Sequence, residues 1–179
     1  DSLVRIHALA ALTRAGISLG VPQEERLMVK ENDSWRQANE RRELDRRLQA
    51  VQRTSLFAKL PAQEQMTLAE HLVHAPFVRG DTLTRQGAVA HWLYLIVQGE
   101  AEVLVDNTGA RTRIATLHDG DFFGEMGMLT GEPRTATVVA TSDVDCYRLD
   151  KVGFAKVLMA RPNMAEEISA VLEQRRQEI

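Results

Sequence analysis

Residues 120 to 138 read Gly-Asp-Phe-Phe-Gly-Glu-Met-Gly-Met-Leu-Thr-Gly-Glu-Pro-Arg-Thr-Ala-Thr-Val. Four glycines and a proline interrupt a region that is otherwise β-like. A continuing strand or a long helix does not carry that punctuation, so the chain must turn tightly here. Gly124 admits a positive φ or a close backbone approach. Glu125-Met126-Gly127-Met128-Leu129 is long enough for about one helical turn. The first N–H groups of such a turn have no internal partners and suit an anion. Arg134 follows across the loop with a planar fork that matches phosphate. Glu125 is an acceptor; phosphate would repel it, and a sugar hydroxyl would suit it. The residue types alone also fit a Gly-rich connection between strands, with Glu125 and Arg134 paired at the surface.

Phe123-Gly124-Glu125-Met126, followed by Gly131-Glu132-Pro133-Arg134-Thr135-Ala136-Thr137-Val138, resembles the phosphate-binding cassette of cyclic nucleotide-binding domains. The match runs through the whole cassette at the family's spacing. The resemblance implies that Arg134 grips the cyclic phosphate and that Glu125 accepts from the ribose 2′-OH. It implies that Phe123, Gly124, Met126, Gly127 and Ala136 line the pocket, with Gly124 and the next backbone N–H groups turned toward the ligand. Thr135 would sit by the phosphate and, in relatives that bind cGMP, by the guanine. The implied ligand is cAMP or cGMP, with no other cofactor and no metal.

The chain has 179 residues and a net charge of −3, with no basic bias to suggest nucleic acid. No apolar run approaches the roughly 20 residues that span a bilayer. The chain does not start with Met and shows no signal peptide, so it reads as a piece of something longer. The single cysteine, Cys146, lies in an alternating run that reads as a strand, so it is an unsuitable nucleophile and forms no internal disulfide.

In chain order, Leu3, Ile6, Leu9, Ala10 and Leu12 recur at helical spacing and Gly16 reads as the stop. Residues 17 to 23 then read as a short strand ended by Pro22-Gln23. Arg14-Ala15-Gly16-Ile17 and Val21-Pro22-Gln23 resemble the end of the cytoplasmic domain in small-conductance mechanosensitive channels. That likeness implies a bacterial cyclic nucleotide-gated channel of this superfamily. The chain would then lie on the cytoplasmic face of a membrane, joined to a pore in the same polypeptide and oligomeric through it. Residues 24 to 49 hold seven charges of each sign and no glycine or proline. Such mixing favours an exposed helix with i,i+4 pairs or a flexible linker. Leu44, Leu48 and Val51 mark one apolar stripe. Residues 54 to 73 suggest a short turn and a helix started by Pro61. His71 and His74 lie three apart, but no further ligand completes a metal site.

From Phe77 the period becomes two. Short strands fall at 82 to 85, 92 to 97, 101 to 105, 111 to 117, 136 to 140 and 144 to 149, separated by turns at Gly80, Gly87, Gly99, Gly109 and Gly120. That pattern suggests a sandwich or jelly-roll. Gly80-Asp81, Gly87, Tyr94, Gly99 and Gly120-Asp121 also resemble positions of the cyclic nucleotide-binding β-roll. The expected fold is α+β: an eight-stranded β-roll flanked by helices, with a helical connector in front. Residues 1–23 would end a preceding domain, 24–53 would connect, and 54–179 would bind nucleotide. Phe154, Val157, Leu158 and Met159 suggest a helix, and another runs from about Met164. The resemblance makes that last helix a lid, with Leu172, Arg175 and Arg176 as candidates for base contact; packing on the roll, with the arginines solvated, is the other reading.

The expected function is therefore a cyclic nucleotide sensor acting on an attached channel. A transcription regulator would need a DNA-binding helix pair after the last helix. An enzyme would need a metal cluster or an activated nucleophile, and no such pattern is present. A roll that has lost its ligand would not need both Glu125 and Arg134.

Overall fold

In the computed structural model, residues 2–17, 33–107 and 109–160 are described. Helix α1 (Ser2–Arg14) ends as its sequence predicts. Gly16 takes φ 71°, its N–H donates to Thr13 O (3.0 Å), and Ile17 N–H donates to Leu12 O (2.9 Å). This pair of bonds is a Schellman stop, which a glycine makes without a Cβ penalty. Residues 18 to 23, expected as a strand, lie outside the described residues.

Helix α2 (Asp33–Arg53) is the charged connector. Its stripe meets a partner: Ala50 and Val51 are buried, and Leu44 and Leu48 pack against the same core. The end of the connector is therefore part of the globule. Pro61 caps helix α3 (Ala62–His71) from the extended region, one position earlier than a helical first residue. Gln65 on α3 is buried because its Nε2 donates to Phe57 O and Ala58 O (3.1 Å each). Those bonds satisfy the carbonyls of the turns between α2 and α3.

Eight antiparallel strands follow: β1 (Val73–His74), β2 (Thr82–Thr84), β3 (Trp92–Gln98), β4 (Ala101–Asn107), β5 (Ala110–Leu117), β6 (Phe122–Phe123), β7 (Thr137–Ala140) and β8 (Asp145–Asp150). Helix α4 (Glu125–Thr130) interrupts them, and α5 (Lys151–Ala160) closes the described chain. One sheet has the order β1-β8-β3-β6, the other β2-β7-β4-β5. The expected α+β roll with flanking helices is what forms.

The first sheet has two buried faces. Leu93, Leu95, Tyr147 and Leu149 point to the helices, where Phe57, Leu68, Leu72 and Phe154 meet them. Tyr94, Ile96 and Cys146 point to the second sheet, with Leu83, Ala101, Val138 and Phe123. This is why Leu93–Ile96 is apolar without alternation. Each fully buried Leu or Phe contributes about 1.5–3 kcal/mol. Burial also pushes the Cys146 thiol far up, so it stays protonated and unreactive.

The short strands β1 and β6 carry no periodic signal of their own. β6 nevertheless anchors the loop that follows: Phe122 enters the helix-side core and Phe123 the inter-sheet core. Among the described residues, no helix is long and apolar enough to cross a membrane.

Candidate functional site

The cassette starts where β6 ends. Phe123 stacks on Tyr94 of β3, with ring centroids 4.8 Å apart and planes 4° from parallel. Gly124 then turns left-handed, with φ 90°. A Cβ there would fall 2.3 Å from Arg134 Nη1 and 2.8 Å from Trp92 O. Both the backbone conformation and the space demand glycine. α4 follows as the expected single short helix and stops at Gly131, whose N–H donates to Gly127 O (3.1 Å). Gly127 has a different reason: a Cβ would fall 2.5 Å from both Ala90 Cβ and Glu132 O. The helix can therefore lie directly on the loop before β3.

Arg134 is held at its backbone and at its head. Its N–H donates to Ala88 O (2.8 Å), and its carbonyl accepts from Gly87 N–H (2.9 Å). Nη1 donates to Gly124 O (2.7 Å) and Nη2 to Trp92 O. The guanidinium lies 6.0 Å from the Tyr94 ring centroid. Burial lowers its pKa, and the neighbouring Tyr94 and Glu125 oppose that shift. An arginine keeps its proton regardless, so the site holds a buried cation.

Glu125 is 2% exposed and Arg134 7%. A surface pair between them is therefore not what forms; both face a cavity of about 280 Å³. That is near the lower end of the roughly 300–1,000 Å³ of small-molecule sites. Phe123, Gly124, Glu125, Met126, Gly127, Arg134, Thr135 and Ala136 all line it, so every candidate from the cassette is gathered there. Leu172, Arg175 and Arg176 lie outside the described residues.

The opposite wall was not legible. Thr84, Val103, Ile114, Leu117 and Val138 come from β2, β4, β5 and β7. The one local hint is Ile114, a lone large apolar residue in Ala-Arg-Thr-Arg-Ile-Ala-Thr. The pocket thus joins a cation, a carboxylate and an apolar wall. It suits a ligand with an anionic end, a hydroxyl and a flat apolar body. Elsewhere, His71 Nε2 meets Lys156 Nζ (3.0 Å) and His74 Nε2 meets Asp145 Oδ1 (2.5 Å). Among the described residues no three metal-ligating side chains come together.

Residues 75–161 match the family model described as the cyclic nucleotide-binding domain. A cAMP-dependent protein kinase regulatory subunit from Blastocladiella emersonii is 33% identical over 60% of this chain and 27% of its own length. The chain spans about a quarter of the length of such curated relatives. Among solved structures, the regulatory domain of Toxoplasma gondii PKA in co-crystal with cAMP aligns with TM-score 0.68 at 18% identity, over 74% of this chain and 52% of that one. A cyclic nucleotide-binding domain from Methylobacillus flagellatus aligns with TM-score 0.61 at 24% identity, over 75% and 79%. These relatives do not support the likeness of residues 14 to 23 to a channel; the curated ones are kinase regulatory subunits. The β-roll with its cassette is a cyclic nucleotide-binding domain, the family to which residues 75–161 of this chain belong.

Proposed function

We propose that the cavity binds cAMP or cGMP and that the chain is the regulatory, non-catalytic sensor of a larger protein. The observation that carries this is the buried pair of opposite charges, Glu125 and Arg134, on one cavity with an apolar wall. Arg134 takes the cyclic phosphate through charge-assisted bonds. Glu125 accepts from the ribose 2′-OH, and the amides from Gly124 to Gly127 border the phosphate. Thr135 and Ala136 flank it, while Val103, Ile114 and Leu117 face the base. Leu172, Arg175 and Arg176 are the base contacts this reading adds.

Residues 54–179 then form the sensor, and α2 links it to whatever precedes. Ala50 and Val51 of α2 share the core of Phe154 on α5, which supports coupling between that connector and α5. Ligand does work on an attached effector only if it binds one arrangement of these helices better than another. The names of the relatives favour a protein kinase catalytic chain as effector. The Arg14–Ile17 and Val21–Gln23 likeness, with the helix and glycine stop it requires in place, favours a channel pore in the same polypeptide, oligomeric at the cytoplasmic face of a membrane. Apolar spans of about 20 residues upstream would decide for the pore.

Calorimetric titration with each nucleotide tests the sensor. Saturable heat near one equivalent is expected with one or both. No heat with either, from a sample whose circular dichroism shows it folded, would overturn the reading.

A further inference from the structure

The cassette arginine is joined to helix α1 through Trp92. The Trp92 carbonyl accepts from Arg134 Nη2 on the cavity side. The Trp92 ring carries the Arg148 guanidinium 4.3 Å from its centroid. Arg148 Nη2 in turn donates to Arg14 O, at the last residue of α1 (2.9 Å). Arg14 then fixes the helix end on the roll. Its Nη1 donates to Pro76 O (2.8 Å) and to Asp81 Oδ2 (2.9 Å), and its guanidinium lies over the Phe77 ring at 4.4 Å. Phe77 meets Tyr94 edge-on at 6.2 Å, and Tyr94 stacks on Phe123 of the cassette. Two routes thus run from the nucleotide cavity to the same helix end.

α1 is held by that end and, two turns earlier, by His7, whose Nδ1 lies 3.3 Å from Asp81 Oδ1. Leu3, Val4, Ile6 and Leu9 remain exposed, and among the described side chains of α1 only Ala10 is buried. Few apolar contacts resist its release, which is the mark of a low-stability element. The clamp is also imperfect: Arg148 Nε is buried without a hydrogen-bond partner. A buried donor left unmade raises the free energy of the docked state.

We propose that cyclic nucleotide binding releases α1 from the roll through Trp92 and Arg148. The inference rests on Arg134 receiving the phosphate, as argued above. Every two-nitrogen edge of a guanidinium includes an Nη, and here each Nη already holds a carbonyl. Each Nη has a second N–H, so a bidentate phosphate draws on the same two nitrogens beside the carbonyls; as the charged acceptor it forms the stronger bond and pulls the guanidinium toward the cavity. That pull lengthens the bond to Trp92 O, and the residue shifts with its donor to keep it. Its ring carries Arg148 along, and the bond to Arg14 O breaks. α1 is the two-state element that this coupling needs, docked or released.

Hydrogen exchange of the amides from Leu3 to Arg14, read by mass spectrometry with and without saturating cAMP or cGMP, tests this on the whole chain. Faster exchange in α1 on binding is expected. Arg148→Ala and, from the helix side, Arg14→Ala should exchange fast without ligand. By linkage they should also bind nucleotide more tightly, by about five-fold or more. Arg14→Ala removes no core side chain, so it serves if Arg148→Ala fails to fold. Binding shown by calorimetry with unchanged or slower α1 exchange would overturn the release and leave the sensor standing. Unchanged affinity in a variant whose α1 is already loose would also overturn it. No binding at all would overturn both.

Discussion

The β4–β5 hairpin and the cassette both set opposite charges beside glycine turns, but they place them in different media. On the hairpin, Arg111 Nε lies 3.0 Å from Asp106 and Arg113 Nη1 lies 2.8 Å from Glu102. The two arginine side chains are 56% and 62% exposed. Water screens such pairs to about 0–1 kcal/mol each. In the cassette, Arg134 and Glu125 are almost wholly buried. There the Arg134 charge is satisfied by two backbone carbonyls, those of Trp92 and Gly124. The hairpin shows what charge contributes when it only keeps a surface wet. The cassette shows charge held in a cavity, where a polar ligand meets it at low dielectric and each contact counts for more.

The largest break in that contrast comes from Gly124→Ala. A side chain there meets a left-handed backbone and overlaps Arg134. The cassette should lose about 2–5 kcal/mol from strain and overpacking together. Thermal unfolding measures the loss, and a variant with native stability and affinity would show that Arg134 does not need this seat. Next comes Glu125→Gln, which should weaken cAMP roughly ten- to hundred-fold, as expected for a hydrogen bond to a charged group. The 2′-deoxy nucleotide should lose as much with the unaltered chain and little more with the variant. Independent, additive losses would mean that Glu125 does not meet that hydroxyl.

A smaller effect is expected from pH. The hydrogen bond to Asp145 raises the His74 pKa above its ordinary value, against the opposing effect of burial. Glu43, beyond Tyr147 on α2, adds to the rise, and Arg47 opposes it. The folded-state pKa is raised, so the contribution is complete below the unfolded value near 6.5 and is lost as pH climbs through the raised one. The His74 side chain is 41% exposed, so the whole effect should stay below about 1 kcal/mol. Urea unfolding of His74→Asn from pH 5.5 to 8.5 checks it: the gap to the unaltered chain should narrow as pH rises, and a widening gap would reverse the sign. The smallest effect is Arg113→Ala, expected within about 0.5 kcal/mol in stability and silent in nucleotide titration. A measurable change in affinity would erase the distinction between the two regions.

Much of this was readable in the sequence, and the reason differs by element. Gly16, Gly80, Gly87, Gly99 and Gly109 each stand at a positive φ, so single letters placed the turns. The stripe of Leu44, Leu48 and Val51 showed which face of α2 would be buried. The cassette was legible because its chemistry is contiguous: carboxylate, glycines and arginine lie within ten positions. The far wall was not, because Val103, Ile114 and Val138 meet only after four strands pair out of sequence order. β1 and β6 were missed because two residues make no period. The burial of Glu125 and Arg134 was also hidden, since local sequence does not show what stacks above a loop. Nor did anything near Trp92 indicate that Arg148 would lie on its ring, more than fifty positions away.

The most direct measurement is titration of cAMP and cGMP into the unaltered chain and into Arg134→Ala, with both samples checked by circular dichroism for the roll. If the buried guanidinium receives the phosphate, the variant should keep its fold and lose about 1.5–3 kcal/mol of binding, or roughly ten- to hundred-fold in affinity. A folded Arg134→Ala variant that binds nucleotide as tightly as the unaltered chain would contradict the assignment of the cassette as the phosphate site.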